Sequence, residues 1–501
     1  MTETILQERI MESDKRRAVI VGLCSAALAI LHQYLFYGRE FGVSYPLFVL
    51  CFYLFMLGNA RDRRRPFTLF HWLTTGAVVL LSFTYVWFDN SFLQSLNALA
   101  IPILIAFHMT YLLGRNRPDW ADPRLLGKAA EHLLFRTFLH WGTAFRLTKG
   151  AAFSRMDSRY RSAISKVLIG LGFTVPLLII VVTLLASADT TFMRAMNHIP
   201  LWLGNLSLAD GIGRLVWIVA VGLCFFGYVW GYVQPVREDR EKQVTEVERP
   251  EAPRLDPLIA LTVLISVNAV YLLFVSLQFS YLFDVLKGIV PGDRTYAEYA
   301  RSGFIELVIV AAINFALLIG ALLFVGTKTK GMRLVVRSML YTLVGCTGVM
   351  LISAYSRLAL YEDVYGYTYT RFLVHAFMIY LALLLAVAGI RIAKEKLSLF
   401  RWYIAISLLA YVAINYAGID HAIASRNIAR YEATGKLDAG YLAGLSADAM
   451  PLVIRFAEDR YPQLRDELAA RREELAARDR SWQAWSWPRF RAERALDAYL
   501  D

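Results

Sequence analysis

An all-α, polytopic bundle of transmembrane helices carrying a small helical extramembrane domain is the fold class this sequence predicts. Three observations carry that expectation. Stretches long enough to cross a bilayer, about 20 residues each, recur without Asp, Glu, Lys or Arg along the 501 residues. No stretch alternates apolar and polar residues with the period of two that a membrane barrel needs. Charge is only 19%, against about 25% in a soluble domain, and it gathers between the stretches and in the segment 420–501.

The charge-free stretches number 11: 18–38, 42–60, 67–88, 91–113, 167–188, 215–236, 257–283, 307–327, 338–356, 372–390 and 402–419. At 1.5 Å rise per residue each reaches most or all of the way across the hydrocarbon layer. His71, His108 and His375 lie inside the third, fourth and tenth. None has an i,i+4 partner or an acid close in sequence that would make a metal site, so all three read as structural, and no cofactor is expected. Asn268, Asn314 and Asn415 are polar residues within spans, where bonding across helices is the ordinary role. Arg214 and Arg337 stand at span ends, from which they can reach the interface.

Orientation follows from the basic residues of the short loops. Arg9, Lys15, Arg16 and Arg17 precede the first span, Arg61 to Arg65 follow the second, and the turn at 89–90 has none. The segment 114–166 is strongly basic, 189–213 is nearly free of basic residues, and the linker 234–256 is rich in them. The alternation continues through Lys328, Lys330 and Arg333, then 358–370 with none, then Arg391, Lys394, Lys396 and Arg401; the loop 284–302, with Lys287, Arg294 and Arg301, fits least well. It predicts a cytoplasmic N-terminus and, after eleven crossings, an extracytoplasmic C-terminus in a bacterial plasma (inner) membrane. The first stretch follows basic residues and lacks a small-residue cleavage site, so it reads as a span and not as a signal peptide. The net charge of +12 then belongs to loops facing anionic lipid, and no nucleic-acid partner is expected. Four cysteines, all within spans, exclude a disulfide scaffold.

Four regions result: 1–233 with six spans, the charged linker 234–256, 257–419 with five spans, and the extracytoplasmic tail 420–501. Within 114–166, Leu134, Phe138, Trp141 and Phe145 fall at i, i+4, i+7 and i+11, which predicts an amphipathic helix in the headgroup plane. The tail has 13 basic and 14 acidic residues, with Glu467–Arg471 and Glu474–Arg478 spaced for i,i+4 pairing. About four helices are expected there, with Ser446 as an N-cap. Trp482, Trp485 and Trp487 are expected to pack on the tail; contact with headgroups is the alternative.

Chemistry concentrates in two stretches. The first is Tyr296-Ala-Glu298-Tyr-Ala-Arg301-Ser-Gly303-Phe-Ile-Glu306, with Glu306 about one turn into a span, where a carboxylate should face protein or water. The second is the tyrosine-rich turn from Arg357 through Tyr361, Tyr365, Gly366 and Thr368 to Arg371. By the loop count both lie on the face that carries the tail. Glu298, Arg301, Glu306, Arg357, Tyr361 and Arg371 are therefore candidate ligand contacts, arginine being suited to an anionic headgroup or carboxylate. Helix-end ion pairs and interfacial tyrosines are the plainer explanation. The motifs G-x-x-x-x-G-K-[ST], H-E-x-x-H, C-x-x-C and G-x-S-x-G are absent, so no catalytic residue is assigned.

The runs YAEYARSGF-E-L, SRLALY---YGYTYTR, NIARYEATGKLDAGYLAGLSADAMP and WQAWSWPRFRAERAL, over about 255–495, resemble a family of bacterial multi-pass membrane proteins known as a domain of unknown function. The resemblance implies a membrane domain with a C-terminal extension and brings no activity. It nominates Glu298, Tyr299, Arg301, Gly303, Arg357, Tyr361, Gly366, Arg371 and, on the tail surface, Asn427, Arg430 and Asp448. The function expected is binding or transport of a ligand, anionic or lipidic, through the C-terminal half, with membrane lipid as partner. Two alternatives stand beside it. One is a non-catalytic regulator or assembly partner in which 420–501 binds a protein. The other is a lipid-modifying enzyme using Glu298 or Glu306 with His375 or His421.

Overall fold

In the computed structural model the apolar stretches are helices, and no strand occurs among the described residues, which are 2–61, 66, 68–114, 118–144, 174, 208–233, 256–286, 304–326 and 329–501. The helices are α1 (Thr2–Phe36), α2 (Ser44–Asn59), α3 (Leu69–Trp87), α4 (Ser91–Leu113), α5 (Arg124–Glu131), α6 (Leu208–Val233), α7 (Pro257–Leu286) and α8 (Phe304–Phe324). They continue with α9 (Lys330–Tyr365), α10 (Tyr369–Ala393), α11 (Leu399–Asn415), α12 (Ile419–Thr434), α13 (Ala439–Ala443), α14 (Met450–Asp459), α15 (Arg465–Ala476) and α16 (Trp487–Leu500).

Eight of these are long and apolar enough to cross a membrane, nine if α11 and α12, bent by 59° at their junction, make one span. Of the eleven stretches expected, eight recur as such helices and 402–419 becomes the bent pair. α2 is a shorter apolar helix of 16 residues, and 167–188 lies outside the described residues apart from the isolated position 174. The linker 234–256 also lies outside them, except for Asp256.

The chain divides into two compact units, one of 1–85, 98–244 and 479–485, the other of 86–97, 245–478 and 486–501. In the first, α1 packs along α6, where Gly222 lets the Ala29 methyl approach. The segment after α5 runs through a π stretch, His132–Arg136, and a further turn, Thr137–Leu139. That widened turn changes the register assumed for the amphipathic helix. Leu134 and Phe138 stay exposed, at 57% and 39%, whereas Trp141 is buried, as are His132, Thr137 and His140. The His132 ring stacks on Tyr232 with centroids 3.7 Å apart, and a Cβ at Gly227 would lie 2.0 Å from the Thr137 carbonyl oxygen. Glycine at 227 is thus what lets this segment lie against α6. Phe145 lies outside the described residues.

In the second unit, α7 to α10 pack around Leu264, Leu318, Leu340, Leu343 and Ala388. Buried amides bond across helices as their positions suggested. Asn268 donates to the Met339 carbonyl at 2.8 Å, Asn314 to Thr347 Oγ1 at 2.9 Å, and Asn97 to Asn415 Oδ1 at 2.7 Å. Arg337 donates to the carbonyls of Ile392 and Ala393, satisfying the end of α10.

Residues 420–501 form four helices longer than a turn or two, α12, α14, α15 and α16, plus the short α13. Ile423, Leu442, Met450, Val453, Leu464, Leu468 and Leu496 are buried in one core, to which Leu93, Tyr369 and Phe372 from the ends of α4 and α10 also belong. The local contacts expected here give way to others. Ser446 does not cap α14: its hydroxyl donates to Asp448 Oδ2 at 3.1 Å. Arg471 pairs with Glu474 and not with Glu467, and Arg478 reaches Asp89 and not Glu474. Asp438 does cap α13, accepting from the Tyr441 amide at 3.0 Å. The tryptophans pack only in part, Trp482, Trp485 and Trp487 remaining 48%, 43% and 45% exposed.

Candidate functional site

Of the first candidate stretch, Glu298 and Arg301, with Tyr299 and Gly303, lie outside the described residues, and Glu306 falls in the first turn of α8. The second stretch folds into one cluster of the second unit. Tyr361 on α9 and Arg371 on α10 meet, the guanidinium 4.4 Å from the ring centroid, and Arg371 also donates to the Gly366 carbonyl. Arg357 lies one helical turn before Tyr361.

Beside them stands an acid–base pair that local spacing could not reveal. Glu362, 3% exposed, lies 3.2 Å from His375 Nδ1. The reading of His375 as lacking a nearby acid is corrected: the acid comes from α9, 13 positions earlier in the chain, across the helix turn. The other ring nitrogen lies 3.4 Å from the Tyr355 carbonyl, and the two rings are 4.4 Å apart. His71 and His108 also make contacts not visible in sequence, their rings 5.4 Å apart and His108 Nδ1 3.0 Å from the Tyr53 hydroxyl. Among the described residues no three His, Cys, Asp or Glu side chains converge as a metal-ligand set.

Below this cluster a cavity of about 400 Å³ runs between α9 and α10. Gly345, Gly348, Leu351, Ile352 and Tyr355 line it from α9, and Met378, Ile379, Ala382, Leu385 and Ala386 from α10. Helical spacing continues the same two faces upward, from Tyr355 to Glu362 and from Ile379 through His375 to Arg371. The small residues open the groove, and the charged ones stand at its end.

The tail residues Asn427 and Arg430 hold the turn between α9 and α10. The Asn427 side chain accepts from the Tyr367 amide at 2.9 Å and donates to the Tyr367 carbonyl at 2.8 Å. Arg430 Nε donates to the Asp363 carbonyl at 3.0 Å, and Nη2 to that of Val364. Gly366 sits at φ +84° between them, in the left-handed region that favours glycine.

Asp448 belongs to a second polar site that the sequence reading did not assemble. Its Oδ2 accepts from the Asp89 amide at 2.8 Å, and burial lifts its carboxyl from 3.8 to about 6, with Asp89 and Asp420 adding to the rise. The Asp89 side chain, with Asp89 only 2% exposed, accepts from Arg489 at 2.7 Å and from Arg478 at 3.1 Å. Asn90 donates to Asp420 at 2.7 Å and accepts from the Tyr369 hydroxyl at 3.1 Å. Of these groups Asp89, Asn90, Tyr369, Asp420 and Arg478 border a second cavity, of about 260 Å³, together with Ser91, Phe92, Gly444, Ser446, Arg471 and Glu474. One signal was available in sequence: Asp89 is the single charged residue between two charge-free spans, with no basic neighbour to answer it.

Long apolar helices joined by polar turns, with buried amides bonded across them, define a multi-pass membrane protein. Residues 75–456 match the family model "Domain of unknown function (DUF4153)", and the chain belongs to that family. The match starts well upstream of the resembling runs and stops before the tryptophan- and arginine-rich end at 482–495. No curated protein and no solved structure matches the chain.

Proposed function

We propose that the C-terminal half of this membrane protein binds a lipid, its acyl chain in the groove between α9 and α10 and its anionic headgroup against Arg371 and Arg357. The observation that carries this reading is the continuity of the groove. An apolar cavity of about 400 Å³ leads along two helix faces to the Glu362–His375 pair and then to Arg371. Binding sites of this kind join an apolar volume to a few fixed polar groups, and an arginine held by a tyrosine face and a carbonyl is preorganised for an anion.

The turn at 89–90, the turn at 366–369 and the tail come together at one end of the second unit. The basic-residue alternation placed these same three segments on one side. That agreement supports an extracytoplasmic headgroup site in a bacterial plasma membrane, with the N-terminus in the cytoplasm.

The test is co-purified lipid measured by native mass spectrometry. A Cβ at Gly345 meets nothing within 4 Å, so Gly345→Leu extends into the groove. It should reduce retained lipid several-fold at unchanged thermal midpoint, while Arg371→Gln should remove the preference for phosphatidylglycerol over phosphatidylcholine. Equal retention in the wild type and both variants refutes the reading.

A second reading, an assembly or regulatory role for the tail, is favoured by the outer face of α16. Trp487 and Phe490 stack with centroids 5.9 Å apart and remain exposed, with Arg494 over Phe490. Such aromatic and arginine groups are enriched where proteins meet. Site-specific crosslinkers at these two positions that capture only lipid would exclude it.

A further inference from the structure

We propose that the cavity bordered by Asp89, Phe92, Tyr369, Asp420, Arg471 and Arg478 is a second binding site, independent of the groove, for a small zwitterion carrying an ammonium and an anionic group. The ammonium position follows from Asp420. That residue is 7% exposed, and its carboxylate accepts one hydrogen bond, from the neutral Asn90 amide at 2.7 Å. No Lys, Arg or His of the described residues makes an ion pair with it. A carboxylate held out of water in this way needs a cation or further donors, and Asp420 opens on the cavity. Phe92 and Tyr369, whose rings meet edge to face at 5.6 Å, line the same space. A carboxylate beside aromatic faces is the chemistry that holds an ammonium.

The anion position follows from α15 and the residues after it. Arg478, which shares Asp89 with Arg489, lines the cavity with its guanidinium. Arg471 adds a second cavity-lining guanidinium, whose acidic partner Glu474 is 64% exposed at the rim, where water screens it. Arginine takes carboxylate and phosphate oxygens in its fixed fork. The space, about 260 Å³, suits a molecule with few heavy atoms between its two charges. Because Asp89 and Phe92 flank the start of α4, a membrane-crossing helix, the zwitterion has two sources of one chemistry: a phosphoethanolamine lipid headgroup or a free amino acid.

The experiment uses the full chain in nanodiscs of phosphatidylglycerol alone. Binding of phosphoethanolamine, glycine, ethanolamine and inorganic phosphate is measured by calorimetry. A probe with both charges should bind at least about tenfold more tightly than either single-charge probe, and Asp420→Asn should remove that advantage, a difference of about 1.4 kcal/mol. If glycine binds best, the source is a free amino acid. If phosphoethanolamine binds best, and phosphatidylethanolamine nanodiscs raise the thermal midpoint of the wild type but not of Asp420→Asn, the source is lipid. Phe92 is half exposed, so Phe92→Leu keeps the fold, should weaken the zwitterion several-fold, and decides the matter if Asp420→Asn does not fold. Phosphate binding as tightly as phosphoethanolamine and glycine, or zwitterion binding unchanged in a folded Asp420→Asn or in Phe92→Leu, overturns the proposal. Neither result bears on lipid retention in the groove, which Gly345→Leu reads separately.

Discussion

Asp89 and Arg489 are 400 positions apart in sequence and 2.7 Å apart in space, and separating them should loosen the end of the chain. Both are buried, at 2% and 8% exposure, so removing either leaves a charge in a poorly solvated place. Breaking a buried pair from one side costs about 3–5 kcal/mol. Arg478 still reaches Asp89 at 3.1 Å in Arg489→Met, which lowers the expected cost to about 2–3 kcal/mol. Asp89→Asn removes the carboxylate from both arginine contacts at once and should stand at the top of that range. The double variant Asp89→Asn/Arg489→Met should cost less than the sum, with a coupling of about 1–3 kcal/mol. Native-state hydrogen exchange of α16 in nanodiscs reads the opening free energy of the element that carries Arg489. A coupling below about 0.5 kcal/mol, within the range of independent sites, would refute the claim that this pair holds α16.

Three further expectations rest on single positions. Asp448 is held protonated up to about pH 6 by burial; being raised in the fold, its contribution is complete below its ordinary value of 3.8 and is lost as pH rises through about 6. The separation corresponds to at most about 3 kcal/mol, and Asp448→Asn should flatten the fall in thermal midpoint between pH 4 and 7. Gly366→Ala places a Cβ 3.0 Å from Asn427 Oδ1 at φ +84°, so it should cost about 1–3 kcal/mol and raise proteolytic cleavage between α9 and α10. Gly227→Val should push the 137–141 segment off α6, because a Cβ there lies 2.0 Å from the Thr137 carbonyl oxygen; increased labelling of a cysteine placed at Thr137 checks it.

The contacts within the turn between α9 and α10 were legible in the chain, because they join residues near each other in sequence. The tyrosine-rich turn named Tyr361 and Arg371, which do meet, and the family resemblance pointed to Asn427 and Arg430, which clamp that turn. Asp89 gives little local signal, because its two-residue turn holds no residue that could pair with it. Its partners, Arg478 and Arg489, looked like ordinary members of a balanced helical tail. The i,i+4 rule assigned Glu474 to Arg478 for a few tenths of a kcal/mol, and a buried carboxylate from elsewhere in the chain outweighed it.

By itself, the sequence determined that this protein is helical and membrane-spanning, and it located eight of the apolar helices long enough to cross a membrane. Those properties are sums over neighbouring residues: 20 charge-free positions bury their own backbone polar groups in a helix whatever surrounds them. Tertiary structure alone decided which charges meet, that glycine and alanine at 345, 348, 382 and 386 open a groove, and that Glu362 faces His375. The physical reason is that a buried charge is stabilised by whatever counter-charge packing delivers within about 4 Å, and that partner has no fixed distance along the chain.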